Sequence, residues 1–539
     1  MYKLRIVALI SVLFLAPGAF AQNDQAYKLI NEANTAKNKD KNCVKAIELY
    51  ERSFAIKDFQ RPSFYQAIAS CYAQTNNSQR AFFYIDKMFA VGWIDSDALL
   101  KDEALKTLFD SPTGKKLLTK FGKAKADLLR SLSPSYAGLA ENPSIKKIDD
   151  WIADPTINGE NLFTKIASFN EFKQPKKKGI FVKFTNQFTD KISAPYYVYI
   201  PSKYDASRPH PLLVYSQGGW FQRKEFARDE AKEFVFENPV LPFVEKGNFI
   251  EIFPGAAGSV GTYQFEGIEN IRQILAQVKQ ILNVDDNRVY MMGFSDGGTG
   301  TYRTSVFMPT AFAAFYPVNG RPYTGNRFVN MSNRPTYSLA STKDEVVEID
   351  TIRSFFNFGR SVGADWTFRE VADQGHYYLP FLEGHLPAIF DHIKAITRRP
   401  FRNELFWETS WEPIGKVDWI EIAQVDKTRT RTDWHKTYEY PLKSREGVET
   451  ITIGDESGAV KARYAANTFD IQTSCIAKLS LNLHPAMVDL SQPVKVIVNG
   501  QIVFDQAVGY DKQKIAASYI ANRDRTLVWA NTITVDVPK

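Results

Sequence analysis

Residues 288–298 read Arg-Val-Tyr-Met-Met-Gly-Phe-Ser-Asp-Gly-Gly. The first five are typical of a buried strand, and residues 301–307, just beyond the glycines, have a helical pattern. A serine between such a strand and such a helix lies in a tight turn, and small residues are needed at Gly293 and Gly297 because side chains there would strike both elements. The turn places the Ser295 hydroxyl at a helix N-terminus, where N–H groups favour developing negative charge. The pattern predicts a nucleophilic Ser295; the alternative is a glycine-rich turn that merely tolerates serine.

Strand and helix patterns alternate on both sides of this turn. The first two strands are expected to be antiparallel, and the others to form a doubly wound, mainly parallel sheet. We predict strands at 179–184, 195–200, 212–215, 249–252, 288–292, 313–318, 336–340 and 365–371, and helices at 263–282, 301–307, 346–362 and 386–397. Residues 179–400 are therefore assigned to one α/β catalytic domain.

A carboxylate and an imidazole are expected to follow the serine in that order along the chain. Asp344 opens the loop after the strand at 336–340, where it can accept the imidazole N–H and fix the tautomer. The competing acids, Glu345, Glu348 and Asp350, fall on or near the next helix, where acidic residues are commonly caps or solvated charges.

The predicted general base is His376, in the loop after the strand at 365–371. The rivals His385 and His392 lie on or next to the final helix of the domain, where a histidine usually packs or caps. The catalytic residues are thus predicted to be Ser295, Asp344 and His376.

An oxyanion hole needs backbone N–H groups directed at the tetrahedral oxygen. One is expected from Asp296, directly after the nucleophile. The other is expected from the loop Ser216-Gln217-Gly218-Gly219-Trp220, with Gly219 as the donor and Trp220 as the next choice. Trp220 and Phe221 either line the substrate pocket or pack in the core.

These motifs together resemble the esterase D and feruloyl-esterase branch of the α/β-hydrolases. The resemblance covers residues 180–398 and includes Gly293–Gly297, Gln217-Gly218-Gly219, and Gly375-His376 followed by His385-Leu386-Pro387. It implies cleavage of carboxylic esters through an acyl-serine, with no metal or organic cofactor, on a small-molecule or carbohydrate-linked ester. The family often has His-Gly where this chain has Gln217-Gly218, which affects the support of that loop.

Two other function classes are compatible with this pattern. The first is a serine peptidase of the prolyl-oligopeptidase kind, although the sequence has no propeller-like repeats to screen large substrates. The second is a non-catalytic binding protein in which the flanking regions carry the function.

The N-terminus has the pattern of a secretory signal peptide. Lys3 and Arg5 precede an apolar run at 6–15, and Ala19-Phe20-Ala21 is a small-x-small cleavage signal, so we expect residues 1–21 to be removed. The alternative is a membrane anchor, but an apolar core of about ten residues is too short to span a bilayer of about 30 Å. The sequence predicts export to the periplasm or the extracellular space and no membrane span.

Residues 22–130 have the apolar spacing of packed helices. The turn at 75–78 separates two helices, and Ala46 to Ala81 spans 35 residues, close to the 34-residue period of a tetratricopeptide array. The region resembles such an array and would then offer a groove for a protein partner. An irregular helical hairpin domain is the alternative.

Residues 131–178 have few long apolar runs and are predicted to be a linker with a short helix near 148–151. Residues 401–539 change to short strands and turns, and Asn499-Gly500 is typical of a type I′ hairpin turn. This region is predicted to be an all-β sandwich. Its tryptophans can be either core residues or platforms that bind sugar rings; they are Trp407, Trp411, Trp419 and Trp434.

The overall composition adds few constraints. A formal charge of +7, without a long basic run, does not indicate nucleic-acid binding. Of the three cysteines, Cys43 and Cys71 lie in the same helical region and could pair, which would leave Cys475 over. The alternative is that all three are small buried apolar residues. No zinc-binding motif occurs in the sequence.

Overall fold

The computed structural model of the chain describes residues 17–59, 61–90, 99–139, 143–219, 238–255, 261, 264–323, 327–376, 379–454 and 456–539. The chain divides into two compact units, residues 1–129 and 130–539. Most of the predicted signal peptide lies outside the described residues, and the predicted cleavage point after Ala21 falls within the first described helix.

The N-terminal unit is helical. Asn42 caps α2 by accepting a 3.0 Å hydrogen bond from Lys45 N, and Pro62 occupies the first turn of α3, where its missing N–H has no partner to lose. Ala46 of α2 and Ala81 of α4 are fully buried in the apolar core of this unit. A tetratricopeptide array remains a prediction. The helices are α1 (Pro17–Asn38), α2 (Cys43–Ile56), α3 (Pro62–Gln74), α4 (Ser78–Ala90), α5 (Glu103–Phe109) and α6 (Pro112–Ser131).

Cys43 and Cys71 meet where α2 packs against α3. Both side chains are buried, and their sulfur atoms lie 2.7 Å apart. Burial raises the pKa of the Cys71 thiol well above its usual range. Both residues are free cysteines in the structure, and their pairing stays a prediction.

Residues 131–178, predicted to be a linker, contain more regular structure than that. They contain α7 (Pro134–Ala137), α8 (Pro143–Ala153) and α9 (Gly159–Ala167). The apolar side of α9 is buried together with Ile515 and Tyr519 of a helix near the C-terminus. Only the short helix near 148–151 was predicted, because α7 has a single turn and α9 acquires much of its buried face from residues more than 300 positions away.

The larger unit is built around an eight-stranded mixed sheet in the order β1-β2-β4-β3-β5-β6-β7-β8. As predicted, β1 and β2 are antiparallel, and the strands from β4 to β8 in that order are parallel. The strands are β1 (Ile180–Thr189), β2 (Ile192–Ile200), β3 (His210–Ser216), β4 (Ile250–Pro254), β5 (Val284–Phe294), β6 (Ala314–Val318), β7 (Thr336–Ser341) and β8 (Trp366–Val371).

Helices between the strands cover the sheet. The predicted apolar face of α11, which includes Ile271, Leu275 and Val278, is buried in one core with Leu212, Val214 and Met291 of the central strands. Short 3-10 turns at 309–311 and 328–333 complete the connections. The helices are α10 (Leu241–Gly247), α11 (Phe265–Ile281), α12 (Asp296–Phe307), α13 (Ile349–Ser361) and α14 (Leu379–Ala395).

The C-terminal region is β-rich. Two sheets, β10-β11-β16-β19 and β18-β17-β15-β14-β9, share one apolar core that contains Trp407 and Trp419. Asn499 and Gly500 have φ angles of 50° and 81°, as the predicted turn between β17 and β18 requires. The strands are β9 (Glu404–Thr409), β10 (Lys416–Val417), β11 (Ile420–Val425), β12 (Tyr438–Ser444), β13 (Gly447–Ile453), β14 (Gly458–Ala465), β15 (Thr468–Ser474), β16 (Ile476–Leu483), β17 (Pro493–Val498), β18 (Gln501–Ala507) and β19 (Asn531–Asp536).

One helix, α15 (Lys512–Asn522), interrupts the expected all-β pattern. Asp511 caps it by accepting hydrogen bonds from Gln513 N and Lys514 N. The capping acid and the pair Ile515 and Tyr519, four residues apart, are the sequence signals that indicate this helix.

Buried ion pairs connect the C-terminal region to the sheet domain. Lys279 of α11 lies 2.8 Å from Asp286 and 3.0 Å from Asp524, and Arg398 lies 2.8 Å from the same Asp524 carboxylate. The two cations lower the pKa of Asp524 well below its usual range, against the effect of burial. Removing one partner would leave a buried charge unpaired, which is strongly destabilising.

Candidate active site

Ser295 occupies the turn between β5 and α12. Its φ of 53° and ψ of −118° place its backbone in a region that residues other than glycine rarely adopt. The turn is held by Ser295 N, which donates to Val318 O over 2.9 Å, and by Thr299 N, which donates to Ser295 O over 2.9 Å. The hydroxyl therefore sits at the N-terminus of α12, as the sequence predicts.

The glycines around Ser295 are there because backbone segments approach closely. A Cβ at Gly293 would lie less than 3.0 Å from Gly297 O, and a Cβ at Gly297 would be equally close to Ser216 O. Since backbone atoms cannot move aside as a flexible side chain can, neither position accepts a side chain without distortion of the turn.

His376 links the serine to the predicted acid. Its Nε2 lies 2.9 Å from Ser295 Oγ, and its Nδ1 lies 2.8 Å and 2.9 Å from the two carboxylate oxygens of Asp344. An ionised Asp344 selects the tautomer with the proton on Nδ1, which leaves Nε2 free to accept the serine proton. The structure thus brings together the three side chains predicted to be catalytic.

Asp344 is held by its own loop. Its Oδ1 also accepts hydrogen bonds from Val346 N over 2.8 Å and from Val347 N over 2.7 Å. The side chain is only 1% exposed, against 13% for His376. Bonds to two backbone N–H groups fix the direction of the carboxylate.

The rival acids and histidines have other contacts. Glu348 precedes α13, and Asp350 pairs with Arg353 over 2.7 Å. The Nδ1 of His392 lies 2.9 Å from Tyr316 Oη, and burial lowers the pKa of both His385 and His392.

Two residues that were not predicted to support the site hold residues 372–376, the histidine loop that carries His376. Asn319 follows β6, is fully buried, and donates to His376 O over 3.3 Å and to Ser341 Oγ over 3.1 Å. Glu345, considered only as a rival acid, accepts a 3.0 Å hydrogen bond from His376 N. Asn319 has a φ of 45°, and an asparagine followed by Gly320 at the end of a parallel strand is the signal that identifies such a position.

The loop after β3 passes directly beside the nucleophile. A Cβ at Gly218 would lie 2.7 Å from Ser295 Cβ, whereas one at Gly219, where φ is 73°, would meet nothing within 4 Å. Asp296, the other predicted oxyanion donor, is the first residue of α12. Trp220 and Phe221 lie outside the described residues. The departure at Gln217-Gly218 from the family pattern is therefore compatible with a close approach of this loop to Ser295.

Two further properties of the described residues bear on the predictions. None of their helices is both long and apolar enough to cross a bilayer. Within the same ranges, no three His, Cys, Asp or Glu side chains form a group suited to a metal ion.

The chain is similar in part to known esterases. No protein-family model matches it. It is 29% identical over 112 residues to a bifunctional acetylxylan esterase/xylanase of Neocallimastix patriciarum, a match that covers 20% of this chain and 16% of that protein. The chain therefore spans only a small part of this curated relative.

Solved structures similar to the chain include hydrolases of two kinds. A thermostable esterase has a TM-score of 0.36 and 18% identity, over 40% of this chain and 63% of that one. A ferulic acid esterase has a TM-score of 0.34 and 15% identity, over 41% of this chain and 99% of that one. A putative dipeptidyl aminopeptidase IV from Bacteroides ovatus has a TM-score of 0.34 and 13% identity, over 40% of this chain and 36% of that one. All three likenesses are weak.

Proposed function

We propose that this protein is a serine hydrolase that cleaves carboxylic esters through an acyl-serine intermediate. The observation that carries the proposal is the continuous chain of contacts from Ser295 Oγ through the His376 ring to the Asp344 carboxylate. A hydroxyl with a general base at 2.9 Å, itself oriented by a buried carboxylate, is the arrangement that activates a serine nucleophile.

The proposed reaction has two halves. In the first, His376 Nε2 takes the proton as Ser295 Oγ attacks the ester carbonyl, and the N–H groups of Gly219 and Asp296, with Trp220 as the other candidate, receive the oxyanion. The tetrahedral intermediate collapses, and His376 protonates the departing alcohol. In the second, His376 takes a proton from a water that attacks the acyl-serine and returns it to Ser295 Oγ as the acyl–oxygen bond breaks and the carboxylic acid leaves, while Asp344 stays ionised throughout. No step requires a metal or an organic cofactor.

We further propose that the substrates are acyl esters linked to carbohydrate. Support comes from the acetylxylan esterase activity in the name of the curated relative and from the resemblance of Gly293–Gly297 to the feruloyl-esterase branch. Acetylated xylan and a feruloylated sugar are the substrates to compare with a generic aryl acetate.

Substituting Ser295 with Ala tests the function directly. We expect the variant to lose turnover of aryl acetate and of any active carbohydrate ester, and to lose labelling by a fluorophosphonate, because the nucleophilic oxygen is absent. The wild-type protein should be labelled at a peptide containing Ser295. Equal turnover by the two proteins would contradict the proposal, and so would a wild-type protein that remains unlabelled.

Export is the proposed location, supported by Lys3, Arg5 and the apolar run at 6–15. N-terminal sequencing of the mature protein is expected to begin at Gln22. Recovery with the intact N-terminus would contradict cleavage.

A further inference from the structure

The hairpin of β12 and β13 stands apart from both sheets of the C-terminal region. It is a two-stranded sheet, and such a hairpin is at best marginally stable alone. Leu442 and Ile451 are instead buried in one cluster with Phe355 and Phe358 of α13. This packing holds a C-terminal segment against the helix that follows residues 344–347, the loop of Asp344, which is called the acid loop below.

Polar contacts fix the hairpin along α13. Thr351 Oγ1 donates to Lys443 O over 3.0 Å, and Lys443 N donates to Ser354 Oγ over 3.3 Å. Arg445 N donates to the Glu348 carboxylate over 2.7 Å. The turn of the hairpin is thereby placed over the start of α13, next to Asp344.

The side chain of Arg445 reaches the acid loop itself. Its Nη2 donates to Asp344 O over 2.8 Å, and its Nη1 donates to Glu345 O over 3.1 Å. These two carbonyls belong to the two residues that hold His376, one through its ring and the other through its backbone N–H. A planar guanidinium can bind two neighbouring acceptors at once, which a single ammonium group cannot do with the same geometry.

We propose that Arg445 is a positioning residue for Asp344. The carboxylate of Asp344 is fixed within its loop by Val346 N and Val347 N, so the loop and the carboxylate move together. Arg445 holds that loop from the carbonyl side and keeps Asp344 in register with His376. A displacement of about 1 Å between catalytic groups is enough to lower a rate by up to about 100-fold. This inference rests on the proposed function and assigns a role to the C-terminal region within it.

The contact is suited to affect catalysis more than stability. The Arg445 side chain is 59% exposed, so solvent screens its 3.5 Å ion pair with Glu348, which is 25% exposed, and such a pair contributes little to stability. The two bonds to the acid-loop carbonyls are therefore the contacts whose loss is expected to matter.

The test compares Arg445→Ala and Arg445→Gln with wild type in aryl acetate turnover. We expect kcat to fall about tenfold with KM within about twofold, because the acid loop is displaced while the substrate contacts remain. Arg445→Lys should restore part of the rate, since one ammonium can reach one carbonyl. Lys443→Ala is the matched control: it removes a positive charge from the same hairpin but keeps the backbone bonds, and should stay within about twofold of wild type.

A second comparison separates positioning from a general structural effect. In an Asp344→Asn background, Arg445→Ala should cause no further loss beyond about twofold in the rate of fluorophosphonate labelling, because coupled residues are not additive. If Arg445→Ala lowers the labelling rate by the same factor with Asp344 and with Asn at position 344, the proposal is overturned. A wild-type kcat for folded Arg445→Ala or Arg445→Gln would overturn it as well. Failure of the proposed function gives a different result, in which wild type and Ser295→Ala already have equal rates.

Discussion

The nucleophile turn and the acid loop are neighbours in the structure, but they are built differently. The turn is shaped by close backbone approaches, where Gly293 meets Gly297 and Gly297 meets the end of β3. The acid loop at 344–347 is held by the backbone N–H of His376 and by Arg445, about 100 positions further along the chain, while Asn319 joins the histidine loop to the end of β7. A site can thus combine one part whose shape is set by residue size with another whose shape depends on distant contacts.

The largest expected effect in this comparison is at Asp344. Replacing it with Asn keeps an oxygen for Val346 N and Val347 N, so the loop should remain folded, but the histidine loses its ionised partner. We expect kcat for an aryl acetate to fall about 10⁴-fold, the size known for asparagine at this position of a triad. A loss below about tenfold would show that another carboxylate, such as Glu345, orients His376.

Gly297→Ala tests the turn. The added Cβ would strike Ser216 O, so the turn must distort, and we expect kcat/KM to fall at least about 100-fold. Gly509→Ala is a matched control, because its Cβ would meet nothing within 4 Å, and it should retain full activity. Equal activities of the two variants would show that the turn tolerates a side chain.

The smallest expected effect is at Asn319, which connects the loops. Asn319→Ala removes the hydrogen bonds to Ser341 and His376 and should lower kcat about tenfold and the free energy of unfolding by about 1–3 kcal/mol. Asn319→Gly removes the same amide but accepts the φ of 45° without strain. If Asn319→Gly matches wild type, the backbone conformation rather than the hydrogen bonds is what the position requires.

Much of the sheet was predictable because its signals are periodic. The strands near Leu212 and Val289 carry continuous apolar runs, and the face of α11 repeats at helical spacing. Helix α9 and helix α15 were not predicted, because both are short and the signals of α15 are only a capping acid and one apolar pair. Their buried faces pack together in one cluster that also includes α8. Trp407 and Trp419 were left open between core and surface, and only the packing of the two sheets places them in the core.

The sequence by itself determined the nucleophile turn and the order of the residues around it, because a serine flanked by glycines between a strand and a helix is constrained within a few positions. The sequence also limited the choice of the acidic residue and of the histidine to a few candidates in the region that follows the nucleophile. Tertiary structure decided which candidates meet, and it alone revealed Asn319 and Arg445 behind them. Those contacts depend on how β6 lies beside β7 and on how the β12–β13 hairpin packs against α13, and such packing follows from the burial of many side chains together.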